Sequence, residues 1–441
     1  MQMTFEAVAE AKPGTKWQAC FHKNWPDYKA WFLSRGGHQG PSLGQSIQQL
    51  RRFMPELLPT YERLVELAGG DELAARFLSC YQPPAYLSGC SQAVWLGSEE
   101  PVLIRNYDLD PRLCEGLIFS SAWHGRKIIA TNECLWGVDD GINDAGLALS
   151  LTFGGRRVIG KGFGIPLILR YILEFCDTTA EAIEVLRRVP SHMAYNVTVL
   201  DRRGNYATVM VAPDRPIQVT RAPVATNHQG AIENPEHARF TRTVERERFL
   251  NECLGDDRLT EQALIAKFLQ APLYNTAYRS GFGTLYTAVY RTEQGQAEFC
   301  WPDSTWVQSF ANFRERKRFI RFNQTRKTMA KQRTHGVIPW TDTAWTGSDY
   351  SLLGIFEQTV NSVLNGLRSA GIAIPSDFIN ECQEEWQRTG QLPWHKLGLL
   401  WSGGGPAEAN PTDASAEPRH STRCWSWYWD KDGAAHCERE R

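Results

Sequence analysis

Gly89-Cys90 is the place in this chain with the most direct route to chemistry. An amide carbonyl is attacked best by a thiolate held beside a base and an oxyanion site. A cysteine at a new chain N-terminus carries its own base. An unperturbed α-amine has a pKa of about 7.7–8.0, so a useful fraction is neutral near neutral pH. Gly89 suits a cut just before Cys90, because glycine tolerates unusual backbone geometry and so lets a thiol reach its own preceding carbonyl. An N→S acyl shift and hydrolysis then free the amine. Gly-Cys alone is a weak pattern, and its weight comes from Arg105-Asn106-Tyr107-Asp108 at the end of the next strand-like run. In a hairpin these residues return beside Cys90. Arg105 would favour the thiolate, and Asp108 would orient and pair the new α-ammonium.

The elements that must position these residues show in the hydrophobic periodicity. Residues 1–89 read as a helical N-terminal segment, a propeptide or α-chain, with helices through Leu43–Leu67 and from Asp71 and a break at Pro83-Pro84. Past Cys90 the pattern becomes strand-like: Ala93–Leu96, a turn, then Pro101–Arg105, a hairpin whose first residue is Cys90. Leu147, Leu149 and Leu151 alternate with smaller residues, a strand with one buried face. A helix over Ile165–Phe175 and a second one capped at Thr178 with Glu181 follow. Then come a hairpin at 196–211, a charged helix over His237–Leu254, and late strands at Thr284–Tyr290 and Gln296–Cys300. Strands, a helix pair, then strands again predict an α+β fold with helices on antiparallel sheets. Residues 90–324 form the expected central domain. Residues 325–441 are a Trp-rich extension, with a helix near Leu352–Leu367 and partial disorder from about 402.

Four short motifs now stand in order: Gly89-Cys90-Ser91, Arg105-Asn106-Tyr107-Asp108, Asp140-Gly141-Ile142-Asn143-Asp144-Ala145-Gly146-Leu147, and Thr226-Asn227-His228. Their order and spacing resemble the choloylglycine hydrolase superfamily. That superfamily holds conjugated bile acid hydrolases, penicillin V acylases and acyl-CoA:6-aminopenicillanate acyltransferases (peptidase family C45). The long segment before Gly89 looks most like the acyltransferase branch. The resemblance implies a four-layer αββα N-terminal-nucleophile hydrolase sandwich. It further implies Cys90 as nucleophile, Arg105 and Asp108 as the residues that hold and tune it, and Asn227 as a side-chain oxyanion donor. It places Arg239 where the family keeps a structural or catalytic arginine, and a second oxyanion donor near Thr152 and Phe153. Thr152 stands where bile acid hydrolases tend to have asparagine, so a backbone N–H is the candidate there. The activity implied is linear-amide hydrolysis or acyl transfer through a Cys90 acyl-enzyme, acting on a small amide or acyl-CoA, with no cofactor.

Composition agrees with such an enzyme. Among 441 residues, 42% are apolar and 22% charged, with a net charge of −1. That is ordinary for a globular protein, and it gives no general attraction to nucleic acid or an anionic membrane. No secretory signal and no membrane-inserting run are seen, so the expected compartment is the cytoplasm, with self-association left open. Eleven cysteines without paired spacing read as thiols in a reducing compartment. Two blander alternatives stand beside the main one. A thiol hydrolase could use His124, His192 or His228 as base without a cut, or a family-like scaffold could bind without catalysis. No metal is expected: Asp139-Asp140 reads as a tight turn before a strand, and the spacing of His420, Cys424, His436 and Cys437 does not suit zinc.

Overall fold

The computed structural model describes residues 1–322 except 87–88, 98–99 and 279–281, together with the backbone of 425–429 and 435–439. The chain divides into two units, Met1–Ile355 and Phe356–Arg441. In the second, the described residues form one antiparallel hairpin, Trp425–Trp429 against Ala435–Arg439. The helix expected near Leu352–Leu367, the disorder expected from about 402 and the side chains weighed for zinc lie outside the described residues.

The first unit opens with strand β1 (Gln2–Glu10) and helices α1 (Thr15–Ser34), α2 (Leu43–Phe53), α3 (Leu58–Leu67) and α4 (Glu72–Leu78). Strands β2 (Gly89–Trp95), β3 (Val102–Leu109), β4 (Leu117–Ser121), β5 (Ile128–Glu133), β6 (Gly137–Asn143) and β7 (Ala148–Phe153) follow. Then come helices α5 (Ile165–Phe175) and α6 (Thr179–Arg188), and strands β8 (Tyr195–Leu200), β9 (Tyr206–Ala212), β10 (Arg215–Thr220) and β11 (Val224–Ala225). The described residues of this unit end with helices α7 (Pro235–Thr241), α8 (Thr243–Leu254) and α9 (Glu261–Phe268), and strands β12 (Gly283–Arg291), β13 (Gln296–Trp301), β14 (Ser304–Ser309) and β15 (Arg316–Arg321).

Among the described residues, nine strands form one sheet in the order β10-β9-β8-β7-β6-β5-β4-β1-β15, and six form another, β11-β2-β3-β12-β13-β14. Within these sheets every pairing is antiparallel except β1 with β4. Strand alternation sends successive side chains to opposite faces, and that rule builds the layers. On β3, Leu103, Tyr107 and Leu109 pack with Phe5, Ile129 and Ile142 of the larger sheet, whereas Val102 and Ile104 pack outward on Leu250 of α8 and Leu264 and Phe268 of α9. The outer face of the larger sheet packs against α1–α6 through Phe21, Leu64, Ile168 and Leu186. The result is the expected four-layer αββα sandwich, with one hydrophobic core between the sheets and one under each helical layer.

Three expectations are corrected. Residues 1–89 are not wholly helical: β1 sits inside the larger sheet, flanked by β4 and β15. Its Ala- and Glu-rich sequence, QMTFEAVAE, conceals the strand, because those residues favour helix. The single helix expected over His237–Leu254 is two, broken at Arg242, whose φ of 52° is left-handed. Asp139-Asp140 is no tight turn. It lies within β6, where the register passes from Thr131↔Asp140 to Asn132↔Val138, so that Asp139 is the extra residue of a β-bulge.

Candidate active site

Cys90 is the second residue of β2, paired across the ladder with Tyr107. Cys90 belongs to the core between the sheets, and Arg105 and Tyr107 lie on the same face of β3 by alternation. Arg105 Nη2 donates to the Cys90 Sγ at 3.2 Å. The guanidinium lies over the Tyr107 ring, 4.7 Å from its centroid. Its other arm is ion-paired to Asp140, fully buried. Asp140 is fixed in turn by the hydroxyls of Thr131 (3.0 Å), Tyr286 (2.9 Å) and Tyr290. Burial opposes the Arg105 charge, but Cys90 and Asp140 outweigh it and hold the arginine well above its usual range. In the uncut chain, burial raises the Cys90 thiol against the pull of Arg105, so the sulfur is protonated.

The backbone end of Cys90 faces a different set of groups. Its N–H donates to Asn227 Oδ1 at 3.0 Å, and its carbonyl accepts from Arg246 Nη1 at 2.7 Å. Arg246 Nη2 donates to the same Asn227 oxygen at 2.6 Å, and Nη1 reaches Asp108 at 3.4 Å. Two donors on Oδ1 fix the orientation of the amide, whose Nδ2 donates to the Phe153 carbonyl at 3.2 Å. Asp108 also accepts from Thr284 Oγ1 at 2.6 Å. Burial pushes the Asp108 carboxyl up to about 6 despite Arg246, Thr284 and Arg105. Sulfur and nitrogen of one residue thus meet separate charge clusters, Arg105–Asp140 and Arg246–Asp108–Asn227.

Glycines make both approaches feasible. A Cβ on Gly89 would lie 2.2 Å from the Phe282 ring and 3.5 Å from the Asp108 Cβ. Gly89 is not among the residues with positive φ. Close packing, rather than the backbone freedom expected from sequence, is what requires glycine there. Gly155 has φ +70°, and a Cβ on it would stand 2.4 Å from the Asn227 carbonyl oxygen, so it lets the 226–228 loop reach Cys90.

The structure therefore gathers Gly89, Cys90, Arg105, Asp108 and Asn227 in one place, with Phe153 beside Asn227. Thr152 is adjacent but engaged: its hydroxyl donates to the Thr226 carbonyl at 2.7 Å and accepts from Asn196 at 3.1 Å, so it shapes the loop that carries Asn227. Arg239 is not brought in. It is exposed on α7, and the arginine that joins Arg105 at the site is Arg246, in the first turns of α8. Asp140 and Arg246 were missed as site residues. Asp140 had a sequence signal, since it opens the third motif, whereas Arg246 had none beyond a basic helix. The histidines weighed as bases are occupied elsewhere: His124 with Thr60 (2.9 Å), His192 with the Phe163 carbonyl (3.2 Å), and His228 with Thr243 (2.9 Å) and Glu247 (3.2 Å). Among the described residues no cluster of three or more His, Cys, Asp or Glu could hold a metal ion, and every cysteine is a free thiol.

Residues 95–306 match the acyl-coenzyme A:6-aminopenicillanic acid acyl-transferase family, a span that opens just past Cys90 and contains Arg105, Asp108, Asp140, Asn227 and Arg246. A variant of the conjugated bile acid hydrolase from Clostridium perfringens is similar in structure, at 11% identity over 54% of this chain and 98% of that one, with a TM-score of 0.39. Penicillin V acylase from Agrobacterium tumefaciens aligns at 14% identity over 52% and 90%, TM-score 0.36. The N-acylethanolamine-hydrolyzing acid amidase ortholog of Caenorhabditis elegans aligns at 18% identity over 50% and 99%, TM-score 0.35. No curated relative matches the chain. Residues 95–306, just under half of the chain, carry both charge clusters around Cys90 and are similar to the acyl-coenzyme A:6-aminopenicillanic acid acyl-transferase family.

Proposed function

We propose that the chain is an N-terminal-nucleophile enzyme that matures by cleavage between Gly89 and Cys90. It then hydrolyses a small linear amide, or transfers its acyl group, through a Cys90 thioester. The observation that carries this reading is the division of Cys90 between two clusters. Its sulfur accepts from Arg105 at 3.2 Å while its nitrogen donates to Asn227 at 3.0 Å.

In maturation, Sγ adds to the Gly89 carbonyl carbon and its proton passes to the Cys90 nitrogen as the peptide C–N bond breaks. Water then hydrolyses the Gly89 thioester, leaving a carboxylate, a thiol and a free α-amine. The guanidiniums of Arg105 and Arg246 disfavour a positive charge on that amine, whereas Asp108 favours it, and the balance keeps a neutral base available. In turnover the amine takes the Sγ proton, the sulfur bonds to the substrate carbonyl, and the leaving amine departs with that proton. Asn227 Nδ2 is the side-chain donor for the oxyanion. Water completes hydrolysis and an acceptor amine completes transfer. The free thiols among the described residues are in keeping with the reducing cytoplasm as working compartment.

Labelling tests this reading. A β-lactone or thiol-directed amide probe, followed by peptide mapping, is expected to modify Cys90 stoichiometrically, with activity lost in proportion. Modification of a different cysteine in step with activity loss would contradict it.

A further inference from the structure

Strand β11 ends at Ala225, paired with Gln92, so the sheet ladder stops two residues before Asn227. Contacts other than the ladder must fix the loop that carries the side-chain donor for the oxyanion. Asn196 Nδ2 holds its carbonyls, donating to those of Thr226 and His228 at 2.9 Å each. The start of α8 holds Asn227 itself. The Asn227 N–H donates to Thr243 Oγ1 at 2.6 Å, and its Oδ1 accepts from Arg246 Nη2 at 2.6 Å. Residues three apart share one face of a helix, so a single turn of α8 grips both the backbone and the side chain of Asn227. That turn begins directly after the left-handed Arg242.

Thr243 is the first residue of α8 and is fully buried. Its hydroxyl meets three consecutive residues of the loop. Besides Asn227, it lies 2.8 Å from Thr226 Oγ1 and 2.9 Å from His228 Nδ1. A hydroxyl has one proton to donate and two lone pairs to accept with. The Asn227 N–H can only donate, so one lone pair is committed to it. The proton and the second lone pair are divided between Thr226 and His228, and the division works in either direction. With the His228 proton on Nε2 alone, facing Glu247 at 3.2 Å, Thr226 donates to Thr243 and Thr243 donates to Nδ1. With both ring nitrogens protonated, Nδ1 donates to Thr243, Thr243 to Thr226, and Thr226 to the Thr243 carbonyl at 3.0 Å. Both arrangements keep the acceptor for Asn227. Valine at 243 would fill a similar volume and take that acceptor away.

We propose that Thr243 is a positioning residue of the oxyanion site, its hydroxyl setting where the Asn227 amide stands relative to the Cys90 sulfur. The proposal rests on the Cys90 reading, and the test separates the two with reagents that the same sulfur attacks differently. With p-nitrophenyl acetate, the sulfur bonds to the carbonyl carbon, a tetrahedral oxyanion forms, and p-nitrophenolate leaves while the thiol proton passes to the α-amine. With iodoacetamide, the sulfur displaces iodide and no oxyanion forms. Both reactions are followed on the matured protein, with the modified peptide mapped to Cys90. In Thr243→Val the acylation rate constant is expected to fall at least tenfold, toward the loss of about 10²–10³ seen when an oxyanion donor is removed outright. Alkylation is expected to stay within threefold of wild type. Thr243→Ser, which keeps the hydroxyl, is expected to stay within threefold in both reactions. Acylation within threefold of wild type in Thr243→Val would overturn the proposal, and so would equal falls in both reactions, which mark a general loss of the site. Amide hydrogen exchange supplies a readout that needs no reaction. The peptide spanning Asn227 is expected to exchange at least tenfold faster in Thr243→Val than in wild type or Thr243→Ser, and unchanged exchange overturns the proposal. Should Thr243→Val fail to mature, exchange decides alone. Should Cys90 of the wild type take neither reagent, the Cys90 reading fails, and exchange again decides whether Thr243 holds Asn227.

Discussion

At the scale of single residues, the site depends on charges buried away from solvent. Asp140 holds Arg105, and Arg105 holds the sulfur. Asp140→Ala leaves a buried guanidinium unpaired, and breaking a pair of that kind costs about 3–5 kcal/mol. Denaturant unfolding should show a loss of that size, together with a fall in kcat/KM. Arg239→Ala is the contrasting variant. Arg239 is exposed, so its stability change should stay within about 0.5 kcal/mol, as for ordinary surface positions, with activity unaltered. The pH dependence has a defined sign. Asp108 has a folded pKa of about 6 against an ordinary 3.8. Its protonated form therefore favours the folded state below the ordinary value, and that contribution is lost as pH rises through about 6. Activity needs the ionised form to pair Arg246 and the α-amine, so kcat/KM should fall on the acid side with a limb near 6. Asp108→Asn should remove the limb along with most of the activity. A limb unchanged in that variant would assign it to another group. That Cys90, Arg105 and Asp108 lie together was legible in the sequence because all three fall on one hairpin, whereas Asn227 came only with the family resemblance. Arg246 was not legible, because Arg239 and Arg246 share one charged run, and only the left-handed turn at Arg242 and the packing of α8 on β2 decide which of them reaches Cys90.

At the scale of elements, close contact sets the limits. Gly89→Ala would drive a methyl into the Phe282 ring, 2.2 Å away. Maturation should slow or stop, and the double variant with Phe282→Ala should restore part of it. Failure of the double variant to recover would move the reason for glycine from packing to backbone conformation. Strand β1 offers a second test. Phe5 is buried between the sheets against Trp301, 5.1 Å between centroids, and Tyr286, 6.2 Å. Phe5→Ala should cost about 3–5 kcal/mol in unfolding free energy. The β2–β3 hairpin, β7, α5, the capping box of α6 and the β8–β9 hairpin follow local periodicity and were readable in advance. β1 was not, since an Ala- and Glu-rich strand is placed by its neighbours β4 and β15 rather than by its own propensity. Nor was the bulge at Asp139, a property of two strands in register rather than of either alone.

At the scale of the molecule, the first 89 residues and the remainder of the described first unit form a common core. β1 lies inside the larger sheet, and Trp17, Phe21, Leu50, Leu64 and Phe77 are buried in the core that also holds Ile168 and Val197. A cut after Gly89 thus leaves two chains with a shared interior. They should migrate together through size exclusion and separate only in denaturant. If the sulfur of Cys90 becomes the nucleophile by acquiring its own α-amine, intact-mass analysis of the purified protein under denaturing conditions reads that event out. Two species are expected, one of residues 1–89 and one beginning at Cys90, with a single uncut chain in Cys90→Ala. A wild-type protein that is fully active as one uncut chain would contradict it.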